Sequence, residues 1–324
     1  MRRRDLITLL AGTALLSPRT ARARDGQLPL VGFLDSAAAT AVKLLNFYEG
    51  LKVEGYIRNQ NVVVEYHSAE GDYSRLPALA TDLVNRRLAV LVAVGIPAAV
   101  AAASATAKVP IVFAIDTDPV QLGLIPDLSL PGGNITGVAN MVVGRERKRL
   151  HLLRQLVPVA TTFALLVNPQ NPHAAVQARD AMSAADELGL QITVYRASTQ
   201  GALESAFSAM AKIRVKGLVI GDDEVFFSAA AELAALAARY AIPAVFAGAA
   251  FTSAGGLMSY GGSAAEMYHQ VGAYSGLILK GAAAARLPVF QSTKVEFIIN
   301  QRAAATLNLA IPAVLLARAN EIIK

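Results

Sequence analysis

Residues 88–101 read Leu88-Ala89-Val90-Leu91-Val92-Ala93-Val94-Gly95-Ile96-Pro97-Ala98-Ala99-Val100-Ala101, and the uncharged run continues to Ala107. A membrane-spanning helix needs about 20 mainly apolar residues, so length alone permits one here. Gly95 and Pro97 split the run instead. A β-branched segment precedes them and an alanine-rich segment follows, with Pro97 placed where a first helical turn accepts it. The reading is a buried strand, a tight turn and a helix start. A second uncharged stretch, Tyr240 to Ala265, is interrupted by Pro243, Gly248, Gly255-Gly256 and Gly261-Gly262, and reads as broken too.

The same strand–helix unit recurs along the chain. Strands are expected at Leu30–Leu34, Val62–Tyr66, Ala89–Val94, Ile111–Ile115 and Ile135–Ala139. A second series is expected at Phe163–Val167, Ile192–Arg196, Gly217–Ile220, Ala244–Ala247, Leu257–Ser259 and Val295–Ile299. Helices lie between them, such as Ala41–Glu54 ended by Gly55 and Ala174–Leu188 ended by Gly189, each with the expected C-terminal glycine. Strand–helix alternation with near-continuous apolar strands predicts an α/β fold with parallel sheets covered on both faces. Two phrases repeat at one offset. Val31-Gly32-Phe33-Leu34-Asp35 stands 133 residues before Ala164-Leu165-Leu166-Val167-Asn168, as Val109-Pro110-Ile111-Val112-Phe113-Ala114 does before Ile242-Pro243-Ala244-Val245-Phe246-Ala247. Two similar doubly wound lobes follow from this, with a boundary near Asn134–Gly137 after the turn-forming Pro131-Gly132-Gly133.

The length of 324 residues suits two domains, each able to bury its own core. The absence of cysteine excludes disulfides, thiol catalysis, thiolate metal sites and a lipid-modified N-terminal cysteine. A net charge of +6 would suggest nucleic acid, but residues 1–23 hold five arginines against Asp5, which is most of the excess. The rest is close to neutral, and no nucleic-acid partner is expected. The front segment has the three parts of an export signal: Arg2-Arg3-Arg4, the uncharged Leu6–Leu16, and Ala21-Arg22-Ala23 with cleavage after Ala23. Arg3-Arg4-Asp5-Leu6-Ile7 resembles a twin-arginine motif. The expected location is the periplasm, without a lipid anchor.

Ligands of open parallel sheets bind beyond the carboxyl ends of the strands. Here those ends gather small, polar and helix-starting residues in both lobes. The expected ligand-binding set is Ser36, Ala37, Gly95, Ile96, Asp116, Thr117, Asp118, Asn140, Asn168, Asn171, Asp223 and Gly248, facing one small polar molecule across a cleft. There is no G-x-S-x-G elbow, no phosphate loop, and no G-x-G-x-x-G after a strand. His67, His151, His173 and His269 are scattered without metal-like spacing. Asp222-Asp223 reads equally as a helix cap or a ligand contact. Arg145-Glu146-Arg147-Lys148-Arg149 reads as the solvated start of a helix. No catalytic constellation, metal site or cofactor site emerges, and the chain is not expected to be an enzyme.

Particular phrases carry a family resemblance. They include Tyr66-His67-Ser68-Ala69-Glu70-Gly71, Pro110-Ile111-Val112-Phe113, Leu130-Pro131-Gly132-Gly133-Asn134-Ile135-Thr136-Gly137-Val138, Val167-Asn168-Pro169-Gln170-Asn171-Pro172 and Ala254-Gly255-Gly256-Leu257-Met258-Ser259-Tyr260-Gly261. Over residues 28–324 the sequence resembles the periplasmic substrate-binding proteins of ABC importers, in the tryptophan/tyrosine-type branch. The resemblance implies the type I periplasmic fold, two lobes joined by three crossovers and closing over a small ligand. It puts 28–137 and 261–287 in the N-terminal lobe, and 138–260 and 288–324 in the C-terminal lobe. The implied function is that of a monomeric solute receptor delivering its ligand to ABC permease membrane subunits. A sensor of the same fold acting on a signalling partner, or an exported enzyme, are the alternatives.

The departures from the family pattern bear on the ligand. Relatives commonly read Asp-Pro-Phe-Phe with arginines shortly after, where this chain has Asp223-Glu224-Val225-Phe226 and then Ala229-Ala230. They commonly read Arg-Glu-Phe where it has Ala249-Ala250-Phe251, and carry a small residue where it has Asp116. Fewer arginines and an added carboxylate predict an amino-acid-like zwitterion or an amine-bearing ligand over a dianion. The N–H groups of Ser36–Ala37 and Gly95–Ala98 are the expected holders of any ligand carboxylate. Asp116 and Asp118 either meet the ligand or only cap the turn that follows.

Overall fold

The Leu88–Ala107 stretch forms a strand ending at Val94, a turn at Gly95 and a helix from Ile96. The computed structural model describes residues 28–141 and 144–324. The export-signal reading of 1–23 lies outside those residues. Among the described residues no helix is long and apolar enough to cross a membrane.

Two sheets carry the chain. The first holds β1 (Leu30–Asp35), β2 (Val63–Ser68), β3 (Val90–Val94), β4 (Ile111–Ile115) and β5 (Ile135–Asn140). The second holds β6 (Thr162–Val167), β7 (Gln191–Arg196), β8 (Leu218–Ile220), β9 (Ala244–Phe246) and β10 (Met258–Gly262). β11 (Phe290–Ser292) then joins the first sheet, and β12 (Val295–Asn300) and β13 (Glu321–Ile323) join the second. The strand orders are β2-β1-β3-β4-β5-β11 and β7-β6-β8-β9-β10-β12-β13. The repeat at offset 133 therefore has a structural counterpart: β1 and β6 hold the same place in their sheets, as do β4 and β9. All neighbours are parallel except β10 and β12.

Helices cover both faces of each sheet, so successive strand residues enter opposite cores. On β3, Val90, Val92 and Val94 pack with Phe33 and Phe47 on one side, while Leu91 and Ala93 pack with Phe113 on the other. β6 does the same, with Phe163, Leu165 and Val167 on one face and Ala164 and Leu166 on the other. Each such valine or leucine, wholly removed from water, contributes about 1.5–3 kcal/mol before chain entropy is charged against it.

The helices up to residue 279 are α1 (Ala41–Val53), α2 (Leu76–Val84), α3 (Ile96–Ala105), α4 (Arg145–Leu156), α5 (Ala174–Glu187), α6 (Gln200–Lys212), α7 (Glu224–Ser228), α8 (Ala230–Arg239), α9 (Ala249–Ser253) and α10 (Ala264–Leu279). α10 lies against α1 and so returns the chain to the first lobe. Three connections link the lobes: between Asn140 and Arg145, at Ser263, and at Thr293-Lys294. Each falls later than the sequence boundaries placed it. Residues 138–140 and 288–292 stay with the first lobe because Val138, Ala139 and Val289 are buried in its cores, and Phe290 pairs with Val138. Gly261 and Gly262 remain in β10 of the second lobe.

Candidate functional site

The strands of both sheets point their carboxyl ends into the space between the lobes, and that space contains a cavity of about 260 Å³. Its apolar lining includes Val42, Phe227, Ala247, Ala249, Met267 and Tyr268. Its polar lining includes Lys43, Asp116, Asn140, Arg145, Asp222, Glu224 and Glu296. The volume lies just below the range usual for small-molecule pockets, about 300–1,000 Å³, which limits the occupant to amino-acid size.

One side of the cavity is built on Asp35, at the end of β1. Its oxygens accept Lys43 Nζ at 3.0 and 3.1 Å, the Ala37 N–H and the Tyr66 hydroxyl. Lys43, in the first turn of α1, reaches across the cleft to Glu224 Oε2 at 2.6 Å. Burial pushes the Asp35 and Glu224 carboxyls up, with Lys43 opposing it, while the two carboxylates hold the lysine charged against its own desolvation. Gly95 makes this approach possible. Its φ of +88° suits glycine, and a Cβ there would stand 2.7 Å from Ser36 Oγ and 2.8 Å from Glu224 Cγ.

The other side is built from α4 and the end of β4. Arg145 sets Nε 3.1 Å from Asp222 Oδ2 and donates to the Asp116 carbonyl, with its NH1 3.7 Å from Asp116 Oδ1. Arg149, fully buried, donates to Asp222 Oδ1 at 2.8 Å and to the Tyr260 carbonyl at 2.9 Å. Asn140 Nδ2 donates to Asp116 Oδ1 at 2.9 Å, and Asn140 Oδ1 is buried without a partner among the described residues. Burial lifts the Asp116 carboxyl to about 6, against Arg145 and with the help of Asp222 and Glu224. Burial acts on Asp222 as well, but Arg145 and Arg149 outweigh it and hold that carboxyl below its usual value.

Asp223 closes the far edge of the cleft. Tyr73 of the first lobe donates to its Oδ2 at 2.9 Å, Asn168 and Asn171 donate at 3.0 and 2.9 Å, and the Val225 N–H donates at 3.0 Å. Burial nonetheless raises its carboxyl to about 6. With the Thr117 hydroxyl 3.4 Å from His173 Nε2, the two lobes are joined at several points, and the conformation is closed.

The strand-end residues expected from sequence divide into three groups. Asp116, Asn140 and Gly248 line the cavity. Gly95, Ile96, Asn171 and Asp223 surround, with Asp116, a separate space of about 20 Å³, room for one water. Ser36, Ala37, Thr117, Asp118 and Asn168 are turned into the protein's own contacts. Ser36 Oγ donates to the Val94 carbonyl and accepts the Ala98 N–H, so it ties β3 to α3.

Three expectations are corrected. Four of the N–H groups placed to hold a ligand carboxylate are committed: Ser36 to Val94, Ala37 to Asp35, Gly95 to Ala114 and Ala98 to Ser36. Asp118 caps the Val120 N–H at 2.8 Å, whereas Asp116 does not cap and faces Asn140 and Arg145. The basic stretch at 145–149 is not a solvated face, since Arg145, Glu146 and Arg149 are buried. Asp222 and Asp223 point in different directions, Asp222 to the arginines and Asp223 to the α7 cap and Tyr73.

Comparison with known proteins gives a consistent answer. A family model described as ABC transporter substrate binding protein matches residues 35–323. A tyrosine-binding protein of Clostridioides difficile is 24% identical over 255 residues, covering 79% of this chain and 73% of that protein. Among solved structures, a conserved domain protein from Vibrio cholerae is 26% identical with a TM-score of 0.84, over 91% of this chain and 100% of that one. An ABC domain from Streptococcus pneumonia in complex with L-Trp is 25% identical with a TM-score of 0.82, over 92% and 100%.

Proposed function

The chain belongs to the family of ABC transporter substrate binding proteins, and from that premise we propose that it is the exported receptor of an importer for a small amine-bearing molecule with an apolar body. It closes its lobes over the ligand between β4, β5 and α10 on one side and α4, α7 and α9 on the other. Closure presents a liganded surface to permease subunits. No bond is made or broken. The ligand needs only to favour the closed population over the open one.

The observation that carries this reading is the cavity itself, lined by apolar side chains together with four carboxylates and two cations. Its size excludes peptides and oligosaccharides, and its charge disfavours dianions. The tyrosine-binding relative and the L-Trp complex support an amino-acid-sized occupant. The N-terminal arginines and apolar run support export to the periplasm, with a mature chain beginning near Arg24.

A thermal-stability screen across amino acids, amines, aromatic acids and dicarboxylates tests it. A true ligand at 100 times its Kd adds about 2.7 kcal/mol to stability. Stabilisation by amine-bearing compounds is expected. Stabilisation by dicarboxylates alone would contradict the reading.

A further inference from the structure

We propose, on the reading of this chain as a solute receptor, that the cleft takes a ligand with two cationic nitrogens joined by a short alkyl stem, a diamine or a diamino acid, and that Glu296 reads the second nitrogen. Glu296 stands on β12, opposite Gly261 of β10, and lines the cavity. Among the described residues it accepts no hydrogen bond, and its ion pair with the exposed Lys294, two residues earlier, is loose at 3.9 Å. The other carboxylates of the cavity are held by the protein: Asp222 by Arg145 and Arg149, Glu224 by Lys43, and Asp116 by Asn140.

The protein's own cations are shared. Lys43 serves both Asp35 and Glu224, and Arg145 lies between Asp222 and Asp116. Among the described residues, Asp116 and Glu224 each accept hydrogen bonds on one carboxylate oxygen only, and the buried Asn140 Oδ1 has no donor. Asp116 and Glu224 also border the water-sized inner space, so this acceptor set marks the inner end of the cavity. Glu296 marks the mouth, where Ala250, Ser253 and Ala265 are exposed. An ammonium group brings three donors and a positive charge, and one such group serves one end. A ligand with a single nitrogen held at the inner end would lay its apolar tail toward Glu296 and strip that carboxylate of water without a partner. A second nitrogen supplies the partner. The stem between the two suits the apolar lining of Val42, Phe227 and Met267, as the methylenes of a lysine side chain suit an apolar surface. A carboxylate on the ligand is compatible with this arrangement. Arg145 makes one hydrogen bond, and the N–H groups of Ala264 and Ala265 at the start of α10 have no acceptor among the described residues.

Isothermal titration at pH 7.5 with matched pairs that differ by the terminal nitrogen tests this: L-lysine against L-norleucine, L-ornithine against L-norvaline, cadaverine against pentylamine, and putrescine against butylamine. The member with two nitrogens is expected to bind at least tenfold more tightly than its partner in every pair that binds. Such a preference in the amino-acid pairs or in the amine pairs supports the inference, and which of them shows it tells whether a carboxylate is bound as well. Glu296→Gln, of nearly the same shape and at a position without a protein hydrogen bond, is expected to bring the two members of a pair within threefold of each other while the affinity of the one-nitrogen member holds. One-nitrogen members binding as tightly as their partners in the wild type would overturn the inference and leave the receptor reading standing. A preference that survives Glu296→Gln, or equal losses for both members, would also overturn it. Binding by no member of any pair would overturn it too, with the receptor reading then decided by the wider stability screen.

Discussion

Lys43 Nζ, anchored on Asp35 of the first lobe, lies 2.6 Å from Glu224 Oε2 of the second. This ion pair crosses the cleft with all three side chains almost wholly out of water. It is one of several contacts that hold the lobes closed, and it joins α1 to α7. Removing one partner of a buried pair leaves an uncompensated charge, which typically costs about 3–5 kcal/mol. Lys43→Met leaves two such carboxylates and is expected to lower unfolding stability by that order, measured by urea denaturation. Glu224→Gln keeps Lys43 on Asp35, so the fold should hold while the open population grows. Small-angle scattering should then give a larger radius of gyration without ligand; an unchanged radius would contradict the latch.

The carboxylates around the cleft give the protein an unusual pH response. Asp116 and Asp223 titrate near 6, above their unfolded values near 4. Stability from such raised groups is fully present below the unfolded value and is lost as pH rises through about 6. Asp35, Glu146 and Glu224, all raised, act in the same direction. His173 opposes them, because burial lowers its pKa. The unliganded protein is expected to melt at a lower temperature at pH 7.5 than at pH 5 in a calorimetric scan. A rise over that interval would show that the carboxylates do not govern the closed state. Affinity for a cationic ligand should run oppositely, weakening below pH 6 as Asp116 takes up its proton.

Gly50 and Gly272 bring α1 and α10 together backbone to backbone. A Cβ on Gly50 would stand 1.9 Å from the His269 carbonyl, and one on Gly272 would stand 2.1 Å from the Phe47 carbonyl. Gly50→Ala must push the helices apart, and overpacking of this kind costs about 1–3 kcal/mol. Because α1 carries Lys43 and α10 carries Tyr268, the same shift moves two residues of the cavity wall. Both a lower melting temperature and weaker ligand binding are expected; retention of both would mean that the crossing does not set the cavity.

Ala249→Leu tests the chamber separately from the fold. The position lines the cavity and is partly exposed, so stability should change by no more than about 0.5 kcal/mol. Titration with the best ligand of the wild type should show at least a tenfold loss of affinity. Unchanged affinity would place the ligand elsewhere.

The eleven strands read from the sequence are present: the central ones are apolar runs whose burial on two faces leaves few other structures open, and the edge strands β2 and β7 keep β-branched residues in a more exposed run. β11 and β13 were not legible. Each has three residues, contains polar side chains, and exists through its pairing with β5 or β12. The cleft was legible to the extent that topology dictates it, which placed Asp116, Asn140 and Gly248 on the cavity. The charged residues were not, since a lone Lys, Arg or Glu in a sequence reads by default as solvated. Lys43 and Glu224 are buried only because they meet across 181 residues of chain. A signal was available for Arg145 and Arg149. They fall at i, i+4 spacing on the same helical stripe as Leu152, Leu153 and Leu156, the face that enters the second-lobe core.

Hydrogen exchange with and without the tightest ligand from the amine and amino-acid series tests most directly that the two lobes close on one molecule. Protection is expected together at the end of β4 around Asp116, at Asp222–Glu224 and at the start of α9, with the faces away from the cleft unchanged. Protection confined to one lobe, with the other exchanging as in the free protein, would contradict binding between them.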